Sequence, residues 1–223
     1  MSVFAEVERT SHQILDTIKP STRLMNQVLL AYSALPLPDY FGARQTFFTY
    51  LETGVNPDRW SYGHLGGAAA RRGMVKELKS LVRERAWIGI QPDTQMYTSL
   101  IHAHSRRRHT RGMLRAIHEC QAQGLIPSSN MWLELVRGLA RCDQLTTALE
   151  SVERLGKGTG PEAWKYILAL SRSYSRPDLE ARVLRRMTQY GWDIPESIRI
   201  GDKREGSLNA LVWMARERRA ILD

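Results

Sequence analysis

The sequence predicts an all-α protein, a right-handed α-α superhelix (a solenoid) built from helix-turn-helix repeats of about 35 residues. Six of the nine prolines recur at intervals of 34 to 37 residues: Pro20, Pro57, Pro92, Pro127, Pro161 and Pro195. A glycine lies three residues before four of them: Gly54, Gly89, Gly124 and Gly158. Because a fixed period of roughly 20–50 residues marks stacked repeats, this spacing predicts an array.

Two apolar stripes with helical spacing lie between successive prolines. One holds Tyr97, Leu100, Ile101 and His104, and the next holds Met113, Leu114, Ile117 and Cys120. Positions i, i+3, i+4 and i+7 share one face of a helix, so each repeat should contain two antiparallel helices. The Gly-x-x-Pro sequence should end the second helix, because glycine provides a left-handed cap and proline prevents continuation.

The repeat boundaries follow from the prolines. We place five repeats at 22–58, 59–93, 94–128, 129–161 and 162–196. Residues 1–21 are expected to form the second helix of an incomplete repeat, so that a portion before it is missing. Residues 197–223 are expected to form a C-terminal capping helix. A helix pair of this size cannot bury its own apolar faces, so neighbouring pairs must stack.

Composition excludes several protein classes. The net charge of +9 favours an acidic partner, and no apolar run approaches the roughly 18 residues that a membrane span needs. Two cysteines argue for a reducing compartment and against a disulfide framework. The N-terminus is not of signal-peptide or transit-peptide type, so any organellar targeting segment is not visible in this chain.

Several segments resemble the pentatricopeptide repeat family. The stretch Gly89-Ile90-Gln91-Pro92-Asp93, followed by Tyr97-Thr98-Ser99-Leu100-Ile101, matches the end of one such repeat and the start of the next. The tetratricopeptide repeat is a less suitable match, because its Trp-x-x-Leu-Gly-x-x-Tyr opening is absent. The resemblance implies a protein that binds single-stranded RNA in mitochondria, with plastids as the alternative, at one base per repeat.

The resemblance also implies which residues read bases. The fifth and last places of a repeat form a reading pair, and here they hold Asn26 and Asp58, Gly63 and Asp93, and Thr98 and Ser128. In the family, the first of these pairs favours uracil, whereas Gly63 offers no side chain. Leu133 cannot hydrogen-bond a base, and Lys165 with Glu196 departs from the pattern. In the second place of its repeat, Trp60 could stack on a base, which is worth about 1–3 kcal/mol.

Arginines recur at the repeat interval near the end of each first helix. They are Arg71, Arg72, Arg106, Arg107, Arg141 and Arg172. A row of cations at this spacing suits an RNA phosphate backbone, where neutralisation releases counterions. The alternative is that each arginine complements a helix dipole, which is worth about 0.3–1 kcal/mol.

Catalytic and metal-binding patterns are missing from the sequence. His102 and His104 are two positions apart on a helix and therefore point to different sides. No Gly-rich phosphate loop, nucleophile elbow or paired-carboxylate signature occurs. We therefore expect no enzyme activity, no metal, no cofactor and no small-molecule substrate.

Two functions from different classes remain. The first is an organellar RNA-binding module that acts through a basic concave groove. The second is a structural subunit of a large organellar assembly such as the mitochondrial ribosome, which contacts ribosomal RNA and other subunits. Few repeats, departures at the reading places, and the expected exposure of Trp192 and Trp213 favour the second function.

Overall fold

The computed structural model describes Arg9 and residues 19–194. The described residues contain ten α-helices, one 3-10 helix and no strand. The chain divides into two compact units, Met1–Arg107 (unit 1) and Arg108–Asp223 (unit 2).

Unit 1 is a stack of helix hairpins. Its helices are α1 (Thr22–Ala34), α2 (Tyr40–Glu52), α3 (Arg59–Arg71), α4 (Val75–Trp87) and α5 (Thr94–Arg106). The first helices α1, α3 and α5 pack side by side, while α2 and α4 each pack against the first helices before and after them. The apolar stripe predicted for α5 is buried, with Ile101 fully inaccessible to solvent.

Unit 2 has the same hairpin arrangement. Its helices are α6 (Thr110–Ala122), α7 (Ser129–Arg141), α8 (Leu145–Leu155), α9 (Pro161–Ser173) and α10 (Pro177–Gln189). Helix α6 packs on α7, α7 packs beside α9, and α8 contacts both α7 and α9. The interior is formed by large apolar side chains such as Trp164, Leu135 and Leu149, each fully buried.

Each of the five predicted repeat spans contains one pair of helices, except that α9 begins one residue early, at Pro161. The division between the two units falls between the two helices of the third span. The predicted capping helix at 197–223, Glu196, and all of the predicted N-terminal helix except Arg9 and residues 19–21 lie outside the described residues.

The junction after α8 differs from the prediction. Gly158 and Pro161 were expected to close α8, but the helix ends at Leu155, and Gly156 takes the left-handed backbone with φ of 60°. A 3-10 turn over Gly156–Thr159 follows, and Pro161 then begins α9. Proline suits the first position of a helix, where its missing N–H leaves no bond unmade.

The tryptophan that follows this junction holds the turn in place. Trp164 Nε1 donates a 2.7 Å hydrogen bond to Thr159 Oγ1, and both side chains are fully buried. Trp192 packs on the same ring, with ring centres 6.0 Å apart, and lies 5.0 Å from the ring of Tyr190. The expectation that Trp192 is an exposed apolar residue is therefore wrong, because it completes an aromatic cluster. Trp213 lies outside the described residues.

Candidate nucleic-acid interface

The first predicted reading pair is in direct contact. Asn26 Nδ2 donates to both carboxylate oxygens of Asp58, at 3.1 and 3.3 Å. The Ser61 hydroxyl donates to Asn26 Oδ1 at 2.7 Å. Since a carboxylate can only accept, these partners fix which end of the Asn26 amide is nitrogen. One N–H and one oxygen lone pair of that amide are left available to a ligand.

Asp58 joins two repeats because it also caps α3. Its carboxylate accepts from the Trp60 N–H at 2.8 Å and from the Ser61 N–H at 2.9 Å, and the Ser61 hydroxyl accepts from the Asp58 N–H. Burial disfavours the charged carboxylate, but the hydrogen bonds from Ser61, Asn26 and Trp60 outweigh it and hold the pKa of Asp58 below its ordinary value. Asp58 is therefore ionised at neutral pH and orients Asn26.

An open depression surrounds this pair. It is lined by Thr22, Arg23, Asn26, Gln27, Leu30, Asp58 and His64. Burial lowers the pKa of His64, and the nearby Asp58 charge opposes this shift. His64 is therefore neutral at pH 7, and Arg23 supplies the positive charge at the edge. We call the surface of α1, α3 and α5 that carries Asn26, Gly63 and Thr98 the reading face.

The second pair has a different geometry. A side chain at Gly63 would approach the Gln95 amide, whose nitrogen lies 3.3 Å from the position of a Cβ. Asp93 caps α5 by accepting from the Met96 N–H at 3.0 Å, and its other oxygen accepts from Arg85 at 2.8 Å. Burial alone would raise the pKa of Asp93, but the hydrogen bonds from Arg85 and from the backbone, with the Arg85 charge, together outweigh it, so the pKa lies below its ordinary value. Asp93 therefore orients no fifth-place side chain, because Gly63 has none.

Local contacts hold the remaining reading places. Thr98 Oγ1 donates to the Thr94 carbonyl at 2.7 Å, and Ser128 caps α7 by accepting from the Met131 N–H at 3.2 Å. Thr98 and Ser128 belong to different units. In unit 2, Leu133 is half-buried, and Lys165 forms an ion pair with Glu162 at 3.0 Å.

The predicted stacking residue, Trp60, lies at the surface. It is the second residue of α3, and its side chain is 48% exposed. The guanidinium of Arg59 lies 5.0 Å from the ring centre, which places a cation against an exposed aromatic face. A base that stacks here would meet both an aromatic surface and a positive charge.

In unit 1, two of the predicted phosphate-binding arginines bind backbone carbonyls of the preceding repeat. Arg71 Nη1 donates to the Ser33 carbonyl at 2.5 Å, and Arg107 Nε donates to the Gly73 carbonyl at 2.5 Å. Arg71 and Arg107 nevertheless remain exposed, and Arg106 is half-buried. Of the six arginines, Arg72 alone has a side chain that makes no hydrogen bond or ion pair with a described residue.

In unit 2, the predicted arginines pair with acidic side chains. Arg141 lies 3.8 Å from Glu134, and Arg172 lies 2.6 Å from Glu180. Arg137 also lies 4.0 Å from Glu134 and contacts the ring face of Tyr166 at 5.8 Å. The sequence reasoning missed this cluster, although Glu134, Arg137 and Arg141 are spaced i, i+3 and i+7, which places them on one helical face.

Likeness to solved structures settles the fold. PPR10 from maize superimposes with a TM-score of 0.69 and 17% identity over 88% of this chain and 30% of that chain. The chain has the pentatricopeptide repeat fold. PPR10 in complex with an 18-nucleotide psaJ RNA element gives a TM-score of 0.66 at 18% identity, over 86% of this chain and 28% of that chain. The predicted all-α repeat fold is thus confirmed, and the chain spans less than a third of PPR10.

A pentatricopeptide repeat domain is also similar over most of its own length. The PPR domain of Arabidopsis thaliana protein-only RNase P 1, solved in complex with tRNA, gives a TM-score of 0.52 at 13% identity. This likeness covers 88% of this chain and 86% of that domain. No family model matches the sequence, and no curated protein matches it.

The described residues contain neither a metal-binding cluster nor a membrane-spanning helix. Between residues 19 and 194, no three His, Cys, Asp or Glu side chains gather where they could hold a metal ion. No helix in that range is long and apolar enough to cross a bilayer.

Proposed function

We propose that this chain is an organellar RNA-binding pentatricopeptide repeat protein that contacts single-stranded RNA through the reading face of unit 1. The resemblance in sequence supports a mitochondrial site of action, with a plastid as the alternative, in RNA processing, stability or translation. The similar PPR10 and RNase P domains were solved with RNA. No substrate chemistry is part of this function, since the chain acts by binding.

The contact between Asn26 and Asp58 carries the proposal. The carboxylate and the Ser61 hydroxyl occupy one donor and one acceptor site of the Asn26 amide. The remaining donor and acceptor match a base edge that offers an acceptor beside an N–H, as uracil does at O4 and N3. Because Asp58 holds the amide in place before RNA arrives, little ordering entropy is lost on binding.

The surroundings of the predicted site residues favour unit 1 as the RNA-binding part. Arg23, Arg59 and Arg72 are exposed on unit 1, and Arg23 and Arg59 lie beside Asn26 and Trp60 respectively. In unit 2, Arg141 and Arg172 already face carboxylates. A phosphate would have to displace those carboxylates, so unit 2 should add less to affinity than its charge suggests.

Fluorescence anisotropy with labelled 12-nucleotide RNAs tests the proposal on the full chain. We expect U-rich RNA to bind more tightly than A-rich RNA, and Asn26→Ala to remove about 1–3 kcal/mol of that preference. Asn130→Ala is the matched control, because Asn130 is an exposed asparagine on unit 2. The proposal fails if both RNAs bind equally, or if the two variants behave alike.

A second function, a structural subunit of a large organellar assembly such as the mitochondrial ribosome, is favoured by exposed apolar side chains. Trp87 is 90% exposed, Ile126 is 88% exposed and Phe41 is 67% exposed. This second function is tested by sedimentation of organelle extracts that contain the tagged protein. Co-migration with ribosomal subunits after nuclease treatment supports it, and migration as the free chain removes it.

A further inference from the structure

An ion pair joins the second helices of the first two repeats. Arg44 on α2 donates to both carboxylate oxygens of Glu84 on α4, at 3.1 Å for Nη1 and at shorter range for Nη2. Tyr62, from the first helix between them, donates its hydroxyl hydrogen to Glu84 at 3.3 Å. Burial and the Glu84 charge raise the pKa of Tyr62 to about 12, which keeps that donor protonated. The gap between α2 and α4 is thereby bridged.

The second helices of the last two repeats are joined in a similar way. Arg182 on α10 donates to Glu153 on α8 at 2.6 Å. A basic and an acidic side chain thus face each other between successive second helices in both places. Ion pairs therefore bridge successive second helices in both places.

The pair formed by α6 and α8 departs from this chemistry. Helices α6 and α8 begin 70 positions, or two repeats, after α2 and α4. The residues that correspond to Arg44, Tyr62 and Glu84 are therefore Leu114, Trp132 and Arg154. Leucine cannot pair with a charge, and arginine has replaced the acidic side chain. No bridge can form from these three residues.

A cavity of about 300 Å³ lies where the bridge would be, within unit 2. Leu114, Trp132 and Arg154 all line it, together with Ile117, Leu135, His118, Gln121, Thr147, Glu150, Ser151 and Leu155. Ile117, Trp132 and Leu135 are buried and form an apolar floor. A recess between α6 and α8 therefore takes the place that the ion pair occupies between α2 and α4.

The rim of this recess carries a cation without an internal partner. The Arg154 side chain is exposed and makes no hydrogen bond or ion pair with any described residue. His118 and Glu150 are also exposed at the rim. Glu150 lies one turn before Arg154 on α8 but forms no ion pair with it. Because the position that is acidic between α2 and α4 is basic here, the group that complements Arg154 is an anion beside an apolar body.

We propose that the recess binds a segment of a partner protein that inserts an apolar side chain and places an aspartate or glutamate against Arg154. Three features support a protein segment rather than a free small molecule. The volume is at the low end of ligand cavities, roughly 300–1,000 Å³. The rim residues are exposed, so the recess cannot enclose most of a ligand surface, as small-molecule sites do. An apolar anchor with a charged neighbour is also the usual composition of an interface centre and its rim.

The structure supplies a matched pair of variants for the test. The double variant Leu114→Arg/Arg154→Glu installs in this recess the residue types of the Arg44–Glu84 pair, which should fill it and reverse its rim charge. Arg154→Glu alone changes one exposed side chain and leaves the apolar floor intact, so it retains the fold even if the double variant does not. Circular dichroism and thermal melting establish that each protein is folded.

The experiment is selection from a displayed library of random 12-residue peptides on the full chain, with counter-selection on the double variant. The expected result is a consensus with a large apolar residue next to Asp or Glu, and at least tenfold weaker binding of those peptides to Arg154→Glu. U-rich RNA binding should be unchanged in Arg154→Glu, which separates this site from the reading face. The inference is overturned if no peptide distinguishes the wild type from the double variant, if the consensus lacks an acidic residue, or if Arg154→Glu binds equally well. Binding of 2-naphthoate in the absence of any selected peptide counts against a protein partner.

Discussion

Replacement of Asp58 by alanine tests whether the first reading pair also holds two repeats together. The loss of the α3 cap costs about 0.5–2 kcal/mol. The additional hydrogen bond from Asn26 to a charged carboxylate is worth about 1.5–3 kcal/mol where it is buried. Because Asp58 is half-buried, we take the lower ends and expect a total of roughly 2 kcal/mol.

Asp39 provides the control for this comparison. It caps α2 by accepting from the Gly42 N–H at 3.1 Å, and its side chain makes no bond to another repeat within the described residues. Asp39→Ala should therefore cost about 1 kcal/mol. Urea unfolding of the full chain, followed by far-ultraviolet circular dichroism, measures both variants. Equal destabilisation by Asp58→Ala and Asp39→Ala would refute the reasoning, because the bond to Asn26 would then contribute nothing.

Three further outcomes follow from the contacts of charged side chains. Arg85→Ala should destabilise unit 1 by about 2–3 kcal/mol in urea unfolding, since it removes a 3% exposed guanidinium from Asp93. Asp58 and Asp93 both have lowered pKa values, so their stabilisation is present above the unfolded value of about 3.9 and is lost as pH falls through the folded values. The free energy of unfolding should therefore differ less between pH 5 and pH 2.5 in the double variant Asp58→Asn/Asp93→Asn than in the wild type. Arg72→Glu should lower RNA affinity and reduce the slope of log K against log salt by about 0.7 per lost contact, whereas Arg172→Glu should change the slope less.

The repeat organisation was predictable from sequence because the residues that impose it act locally. Gly54, Gly89 and Gly124 adopt left-handed backbone where the sequence places a helix end. The place of Asp58 is also local, since the last place of one repeat is the cap of the next first helix. Its association with Asn26, 32 residues away, came from the family resemblance and not from a local rule.

The arginine contacts were not predictable in the same way. Arg141 meets Glu134 on the same face of its own helix, and Arg71 meets a carbonyl of the preceding repeat. Both partners depend on side-chain packing and not on the repeat period. The closure after α8 was missed for a similar reason, because the bond from Trp164 to Thr159 joins positions that no repeat rule relates.

Hydrogen–deuterium exchange of the full chain with and without U-rich RNA shows where RNA binds. We expect slower exchange on RNA binding in α1 and α3, around Asn26 and Trp60, with much smaller changes in α7 and α9. Protection concentrated in α7 and α9, or protection that Asn26→Ala leaves intact, would contradict it.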